Sequence, residues 1–468
     1  MVFSSLTFLY LFLPACMLAY YMAPTVTARN WVLVLFSLLF YAWGEPVNVL
    51  LLLFSTACNY GFGLLLGRGG GKKRLMTIAT IFNLGLLGFF KYTGFLMENI
   101  NLLGFDFPVP QIALPIGISF YTFQALSYVI DVYRGEVKVQ RSYLRFLLYV
   151  SLFPQLIAGP IVRYSELEER LAERRTVPRA AFNGATRFCV GLGKKVLVAN
   201  YAGELASKLL DGDLASQTAL GGWLGILFFT FQLYFDFSGY SDMAIGLGRI
   251  FGFRYAENFN LPYCSRSITE FWRRWHISLG SFFRDYVYIP LGGNRKRQIL
   301  NLLIVWSLTG LWHGASWNFV LWGLYFFILL YIEKHLGSRL SRIPSALRIA
   351  STFLLVVLGW TLFYFTDLGR MGGFFKVLVG LGAGLSNEQT NIILLNSLPL
   401  LLLCILGSTP VPRTIGIIFT NLFTGRGRSL GRQRVYAGVA FTFDLLLLAL
   451  CTVSLIGSTL NAFLYFRF

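Results

Sequence analysis

Charged residues are scarce in this chain. Only 13% of its 468 residues are Asp, Glu, Lys or Arg, about half of the ~25% usual in soluble domains, whereas 56% are hydrophobic. Eleven runs of 15 or more residues contain no charged side chain, and the longest covers 298–332. A helix needs roughly 20 apolar residues to cross a bilayer. The composition excludes a soluble enzyme and predicts an all-α polytopic membrane protein with about 11 or more transmembrane or re-entrant helices.

Acidic residues and cysteines are also few. The chain has 21 Asp and Glu against 40 Lys and Arg, which gives a formal net charge of +19. In a membrane protein such an excess usually lies in cytoplasmic loops beside anionic lipid, so we expect a bilayer partner and no nucleic acid. An anionic substrate or an acidic carrier protein is the alternative. The six cysteines lie far apart without metal-ligand spacing, so neither a disulfide scaffold nor a metal site is expected.

A basic segment before the first apolar run is missing as well. The first positive charge is Arg29, which follows that run, so we predict no signal peptide. The basic cluster at 68–74 marks the third connection as cytoplasmic, and counting back through three spans places the N-terminus outside. The sequence also has no fixed-period repeat and no low-complexity linker. We therefore predict one membrane domain over 1–468.

Two segments combine charge with aromatic residues and contain no spanning run. Residues 163–179 are dense in Glu and Arg and suit a surface amphipathic helix. Residues 253–297 carry several arginines beside tryptophan and phenylalanine. Such a stretch cannot cross lipid alone, so it lies along a membrane face or enters a polar cavity. An interfacial helix that extends its arginines towards water is the alternative.

Histidine is the rarest titratable residue, with three copies. His335 follows an acid and a lysine at the end of an apolar run and is expected to be an ordinary interfacial residue. His313 lies within 298–332, a run that would be ~52 Å long as one helix and therefore too long for one crossing. We expect a break near 310–318. An imidazole there could act as a general base, or it could be hydrogen-bonded between helices.

Three further polar side chains lie in apolar surroundings. Asp236 and Asp242 are six residues apart, ~600° around a helix, so they share no face and are not a paired acid and base. Each is expected to anchor helices or to orient another side chain, such as a histidine. The aromatic tail 461–468 is typical of a membrane-interface belt. Alternatively, the hydroxyl of Tyr465 enters an internal tunnel, where a histidine would activate it.

Several long motifs follow one another in a fixed order. They include Phe-Pro-Gln-Leu-Ile-Ala-Gly-Pro at 153–160, Glu-Asn-Phe-Asn at 257–260, Trp-Arg-Arg-Trp-His-Ile-Ser at 272–278, Ile-Pro-Leu-Gly-Gly-Asn-Arg at 289–295 and Leu-Trp-His-Gly at 311–314. With these motifs, nearly the whole chain resembles the membrane-bound O-acyltransferase family, and most closely its bacterial branch of alginate and peptidoglycan O-acetylation proteins. The resemblance implies helices ringed around a central tunnel in the cell (cytoplasmic, inner) membrane.

The resemblance also implies roles for individual residues. His313 corresponds to the catalytic histidine of the Trp-His-Gly motif, and His276 lines the same tunnel. The tail resembles a motif of the related teichoic acid D-alanylation system, in which a partner's tyrosine is implicated as an acyl relay, so Tyr465 becomes a candidate relay. The residues expected to bind substrate are Arg273, Arg274, Arg284, Trp312 and Asn318, and the arginines would meet the phosphates of a CoA donor.

The sequence thus predicts transmembrane acyl transfer, of acetyl in the first instance. A cytoplasmic thioester, acetyl-CoA or an acyl carrier protein, would be the donor, and no cofactor would be bound. An extracytoplasmic SGNH-type partner with a Ser-His-Asp site would pass the group to a cell-surface polysaccharide. The alternatives are D-alanyl transfer to teichoic acid, a transporter or flippase that relays protons through Asp236, Asp242 and His313, and a non-catalytic scaffold of a polymer-secretion complex.

Overall fold

The structure is a computed structural model that describes residues 1–157, 159–340, 342–424, 430–457 and residue 463. Every regular element among these residues is helical. The chain divides into two compact units, one of Met1–Phe188 with Tyr240–Ala256 and the other of Cys189–Gly239 with Glu257–Phe468. The single membrane domain expected from the sequence stays a prediction.

The first unit contains eight complete α-helices within the described residues, most of them joined by short connections. They are α1 (Leu13–Met22), α2 (Val26–Ala42), α3 (Asn48–Gly67), α4 (Lys72–Asn101), α5 (Ile118–Arg134), α6 (Tyr143–Ser151), α7 (Phe153–Leu156) and α8 (Tyr164–Ala172). A π-helical turn, Phe8–Phe12, precedes α1. Two longer helices, α9 (Pro178–Gly193) and α11 (Ala219–Ile250), contribute residues to both units.

The second unit contains the remaining helices of the described chain. They are α10 (Asn200–Leu210), α12 (Ile268–Arg274), α13 (Ile277–Phe283), α14 (Gln298–His313), α15 (Trp317–Leu340), α16 (Ser345–Tyr364), α17 (Leu368–Leu378), α18 (Glu388–Gly407), α19 (Val411–Thr424) and α20 (Leu430–Gly457). The π-helical turns Lys194–Ala199 and Arg284–Tyr288 follow α9 and α13, and the 3-10 turns Leu214–Ser216 and Pro262–Cys264 precede α11 and α12.

Seven helical segments among the described residues are long and apolar enough to cross a membrane. They are Asn48–Gly67, Lys72–Asn101, Ala219–Ile250, Trp317–Gly337, Ser345–Tyr364, Glu388–Gly407 and Gly431–Gly457. Two shorter apolar helical segments, Phe8–Met22 and Val26–Ala42, lie at the start of the chain. Together they confirm the predicted polytopic, all-helical membrane protein.

The Glu- and Arg-rich segment over 163–179 is helical over Tyr164–Ala172 and again from Pro178. Helix α8 buries Tyr164, Leu167 and Leu171 and turns its charged side chains away from them. It ends at Ala172, and α9 begins at Pro178. A residue before proline is disfavoured in the helical conformation, so the proline breaks the segment into two helices.

Helices α14 and α15 form a hairpin that packs backbone against backbone. A Cβ atom added at Gly310 would collide with the carbonyl oxygen of Phe319, and one added at Gly323 would collide with that of Trp306. Small residues let helices in membranes approach closely, and here they join the two halves of the apolar run 298–332. Because α14 ends at His313 and α15 begins at Trp317, the structure confirms the expected break and places His313 at the tip of the hairpin.

We predict that Gly323→Val separates α14 from α15 and weakens the protein. The added side chain meets backbone that cannot rotate away, and overpacking of this kind costs about 1–3 kcal/mol. Thermal unfolding in detergent should show a lowered midpoint. Gly337→Val on the same helix is the matched control, because a Cβ at Gly337 meets no atom within 4 Å. Equal midpoints for the two variants would contradict the close contact.

Candidate active site

Helix α12 contains the two arginines of the Arg-Arg-Trp-His motif, ends just before Trp275, and is held at its N-terminus from two sides. The Ser267 hydroxyl accepts a hydrogen bond from the backbone N–H of Glu270 at 3.1 Å. The carboxylate of Glu333, on α15, accepts from the N–H groups of Ile268 at 2.6 Å and Thr269 at 3.2 Å. These donors have no partner within the helix, and a negative charge is favoured there. Glu333 therefore fastens α12 to the far end of the hairpin helix.

The backbone at His276 has an unusual conformation for a residue with a side chain. Its φ of 45° and ψ of 55° lie in the left-handed region, between the end of α12 and the start of α13. The preceding loop holds it there. Asn260 N–H donates to Arg274 O at 2.9 Å, and Ile277 N–H donates to Asn258 O at 3.0 Å. Such strain persists only where the surroundings enforce it, and it is concentrated at functional sites.

The His276 imidazole is buried, with 2% of the residue exposed. Its Nδ1 lies 3.2 Å from Asn258 Oδ1, and its ring meets the Phe237 ring edge-on at a centroid distance of 4.6 Å. Within the described residues, its Nε2 has no hydrogen-bond partner. Burial lowers the pKa of His276 to about 3, so the ring is neutral at physiological pH.

His313 is the last residue of α14 and is buried among aromatic rings. Its ring centroid lies 5.0 Å from that of Trp312, 5.1 Å from Trp322 and 5.2 Å from Phe363, each in an edge-on arrangement. Asn318 holds the segment behind Phe363, since its side-chain amide donates to Leu362 O at 3.2 Å. Asn318, expected to bind substrate, thus holds the chain beside Phe363, whose ring contacts that of His313.

Trp312 lies beside both histidines. Its ring centroid is 6.0 Å from that of His276 and 5.0 Å from that of His313. On the other side of His276, Phe237 contacts the buried tail residue Phe463, with ring centroids 6.3 Å apart. The structure therefore brings His276, Trp312 and His313 together, with Phe463 close to Phe237. Tyr465 lies outside the described residues.

An aromatic cluster extends outward from Trp322. Five tryptophan rings of the described chain form one connected network that includes it, with centroid distances between contacting rings from 4.8 to 6.4 Å: Trp272, Trp275, Trp306, Trp322 and Trp360. Large rigid rings exclude water from the neighbouring imidazole. Exclusion of water protects a reactive acyl group from hydrolysis and strengthens electrostatic interactions in the site.

The three arginines expected to bind a donor differ in their partners. Arg274 forms an ion pair with Glu270 at 2.5 Å, one turn earlier on α12. Arg284 forms a two-pronged pair with Asp285, at 2.6 and 3.0 Å. Arg273 is exposed, and no described carboxylate pairs with it. It is therefore the arginine of the three most open to a phosphate.

The two aspartates on α11 each form an ion pair with a basic side chain of the same unit. Asp236 pairs with Lys195 at 2.7 Å, and both side chains are nearly inaccessible to solvent. Asp242 accepts hydrogen bonds from Arg187 at 2.7 and 3.0 Å. Buried ion pairs that are mutually satisfied anchor helices, because loss of one partner leaves an uncompensated charge. Asp236 thus joins α11 to the π-helical turn that follows α9, and Asp242 joins α11 to α9 itself.

Two of these contacts cannot be predicted from the spacing of residues in the sequence. Asn258 belongs to the Glu-Asn-Phe-Asn motif, but nothing in its separation of 18 residues from His276 predicts their contact. The only sequence signal for Glu333 is a lone carboxylate at the end of an apolar run. Within the described residues, no group of three or more His, Cys, Asp or Glu could hold a metal ion.

The geometry and the motifs agree with comparison against known families. The chain matches the model of the membrane-bound O-acyltransferase family over residues 5–367, and it belongs to that family. It is therefore an O-acyltransferase of the multi-pass membrane class. The resemblance inferred from the motifs is confirmed, and so is the predicted enzyme class.

Individual proteins with related sequences are also known. The chain is 45% identical to the probable alginate O-acetylase AlgI of Pseudomonas aeruginosa, over 78% of this chain and 72% of that protein. It is 32% identical to the peptidoglycan O-acetyltransferase of Helicobacter pylori, over 100% of this chain and 98% of that protein. The teichoic acid D-alanyltransferase of Bacillus subtilis is more distant, at 29% over 53% of this chain and 68% of its own length.

We predict that Glu333→Ala loosens α12 and lowers acyl transfer, because two N–H groups at its N-terminus lose their acceptor. Loss of a helix cap costs about 0.5–2 kcal/mol. His335→Ala, two residues away on the same helix and exposed, is the control. Thermal midpoint and turnover should fall together in Glu333→Ala and stay unchanged in His335→Ala. A Glu333→Ala protein with wild-type turnover would show that this cap does not support the site.

Proposed function

We propose that this protein transfers an acetyl group from a cytoplasmic thioester, acetyl-CoA, towards a cell-surface polysaccharide. The observation that carries the proposal is the pair of buried histidines, each in contact with the Trp312 ring. It is supported by the relatives named for alginate and peptidoglycan O-acetylation. In this proposal the protein spans the inner membrane with its N-terminus outside.

His313 is the proposed base. It takes the proton of the attacking hydroxyl as the oxygen forms a bond to the acyl carbon of the thioester. The C–S bond then breaks, and the imidazolium returns its proton to the departing thiolate, so the products are an ester and a free thiol. The neighbouring rings of Trp322 and Phe363 keep water away from the acyl carbon during this exchange.

Tyr465 is the proposed first acceptor, which would hold the acetyl group as an ester until a partner removes it. Support comes from the tail, because Phe463, two residues earlier, packs on the Phe237 ring that also contacts His276. An extracytoplasmic partner of the SGNH type would then carry the group to the polysaccharide. This sequence of steps moves an acetyl group across the membrane without moving the whole donor.

We predict that His313→Ala reduces acetyl transfer by roughly 100-fold or more, since a positioned base contributes about 10²–10⁴ in rate. Purified protein is incubated with isotopically labelled acetyl-CoA, and the C-terminal peptide is analysed by mass spectrometry. Labelled peptide is expected for the wild type and for the control His335→Ala, and none for Tyr465→Phe. Wild-type turnover in both His313→Ala and Tyr465→Phe would refute the proposed roles. If the protein instead prefers a D-alanyl carrier protein as donor, the proposal that acetyl-CoA is the donor is wrong.

We predict that Arg273→Ala raises KM for acetyl-CoA more than Arg284→Ala does. Arg273 is exposed and free of a described carboxylate, whereas Arg284 is already engaged by Asp285. A charge-assisted hydrogen bond to phosphate contributes about 1.5–3 kcal/mol, which corresponds to roughly 10- to 150-fold in affinity. KM for an acetyl thioester that lacks phosphates should not change. The reverse order of the two variants would contradict this assignment.

A further inference from the structure

Two hydrogen-bond donors and one imidazole nitrogen converge on one oxygen beside His276. Asn258 Oδ1 lies 3.1 Å from the backbone nitrogen of Ser278, 3.0 Å from the Ser278 hydroxyl and 3.2 Å from His276 Nδ1. A backbone N–H can only donate, so the side-chain atom that it meets must be the carbonyl oxygen of the amide. The orientation of the Asn258 amide, which is often ambiguous, is thereby fixed.

The fixed amide determines the protonation of the imidazole. Since Asn258 Oδ1 only accepts, a hydrogen bond between the two atoms requires the hydrogen to be on His276 Nδ1. A neutral imidazole has one N–H group, so its other nitrogen, Nε2, has the free lone pair. Ser278 contributes by holding the same oxygen in place with two donors.

The second ring nitrogen of His276, Nε2, would be a hydrogen-bond acceptor. His276 Nε2 is buried and has no hydrogen-bond partner within the described residues. The same residue has the left-handed backbone, with a φ of 45°. Buried polar atoms are nearly always satisfied, and strained residues are concentrated at functional sites. Both features on one histidine, in ring contact with Trp312, indicate that a substrate group completes the site.

We propose that Asn258 is a positioning residue, which holds His276 in the Nδ1–H form so that Nε2 accepts a hydrogen bond from an O–H or N–H group of the bound substrate. The proposal rests on the function proposed above and deepens it by assigning two different tasks to the two histidines. His313 takes the proton that is transferred, and His276 holds the substrate beside it. Asn258 itself touches no substrate and acts through His276.

The two protonation forms can be told apart directly by nitrogen NMR. Protein labelled with ¹⁵N in histidine side chains gives signals from only three imidazoles, and His276→Gln identifies the signals of His276. In the wild type we expect Nδ1 of His276 to be the protonated nitrogen and Nε2 the unprotonated one. A wild-type protein with the proton on Nε2 of His276 overturns the proposal, whatever the variants do.

Activity measurements test whether this form matters. Asn258→Leu has a side chain of similar size without an acceptor, so the imidazole can place its proton on Nε2 and present a donor to the substrate. We expect kcat/KM to fall by roughly 10- to 100-fold, as when the partner of a functional histidine is lost. Asn258→Asp retains an acceptor oxygen and should recover most of the loss. Asn260→Leu is the matched control and should keep wild-type kcat/KM, because the side chain it replaces is exposed and the hydrogen bond to Arg274 O comes from the backbone N–H, which remains.

The outcomes separate this inference from the proposed function. Wild-type kcat/KM in Asn258→Leu, or a loss that Asn258→Asp fails to reverse, overturns the inference. If Asn258→Leu does not fold, the NMR spectra of the wild type and of Asn258→Asp decide, since both must show the Nδ1–H form. If His313→Ala abolishes acetyl transfer while these tests fail, the proposed function stands without this role for Asn258.

Discussion

The close approach of α14 and α15 is the constraint on which the rest of the site depends. Two helices can touch backbone to backbone only where side chains are absent, and Gly310 and Gly323 provide those positions. The hairpin ends α14 at His313 and places Trp322 of α15 against its imidazole. The helix break, the position of His313 and its aromatic surroundings are therefore consequences of a single packing contact.

The surroundings of the two histidines differ in kind, which allows them to perform different chemistry. His276 is held by hydrogen bonds from a polar loop, and its backbone is strained. His313 is surrounded by aromatic rings at the end of a helix. One environment gives the imidazole a polar partner, and the other surrounds it with apolar rings. A site for acyl transfer needs both, because the acceptor must be oriented and the acyl group must be kept from hydrolysis.

The sequence predicted the features that depend on composition and length. Charge-free runs identified a polytopic membrane protein, and the excess length of 298–332 placed a break beside His313. Ordered motifs identified the family. The sequence could not predict the contacts of Asn258 and Glu333, since these depend on how separate segments pack and have no characteristic spacing. The same is true of Lys195, whose partner lies 41 residues away.

Glu333 connects a membrane-spanning helix to the segment that carries His276. Helix α15 contacts α14 through Gly323 near one end of the span and α12 through Glu333 near the other. Spanning helices respond to the thickness of the lipid by changing their tilt. A change in the tilt of α15 would thus move both α14, which ends at His313, and α12, which precedes His276, so the lipid itself becomes a determinant of how well the two imidazoles are aligned.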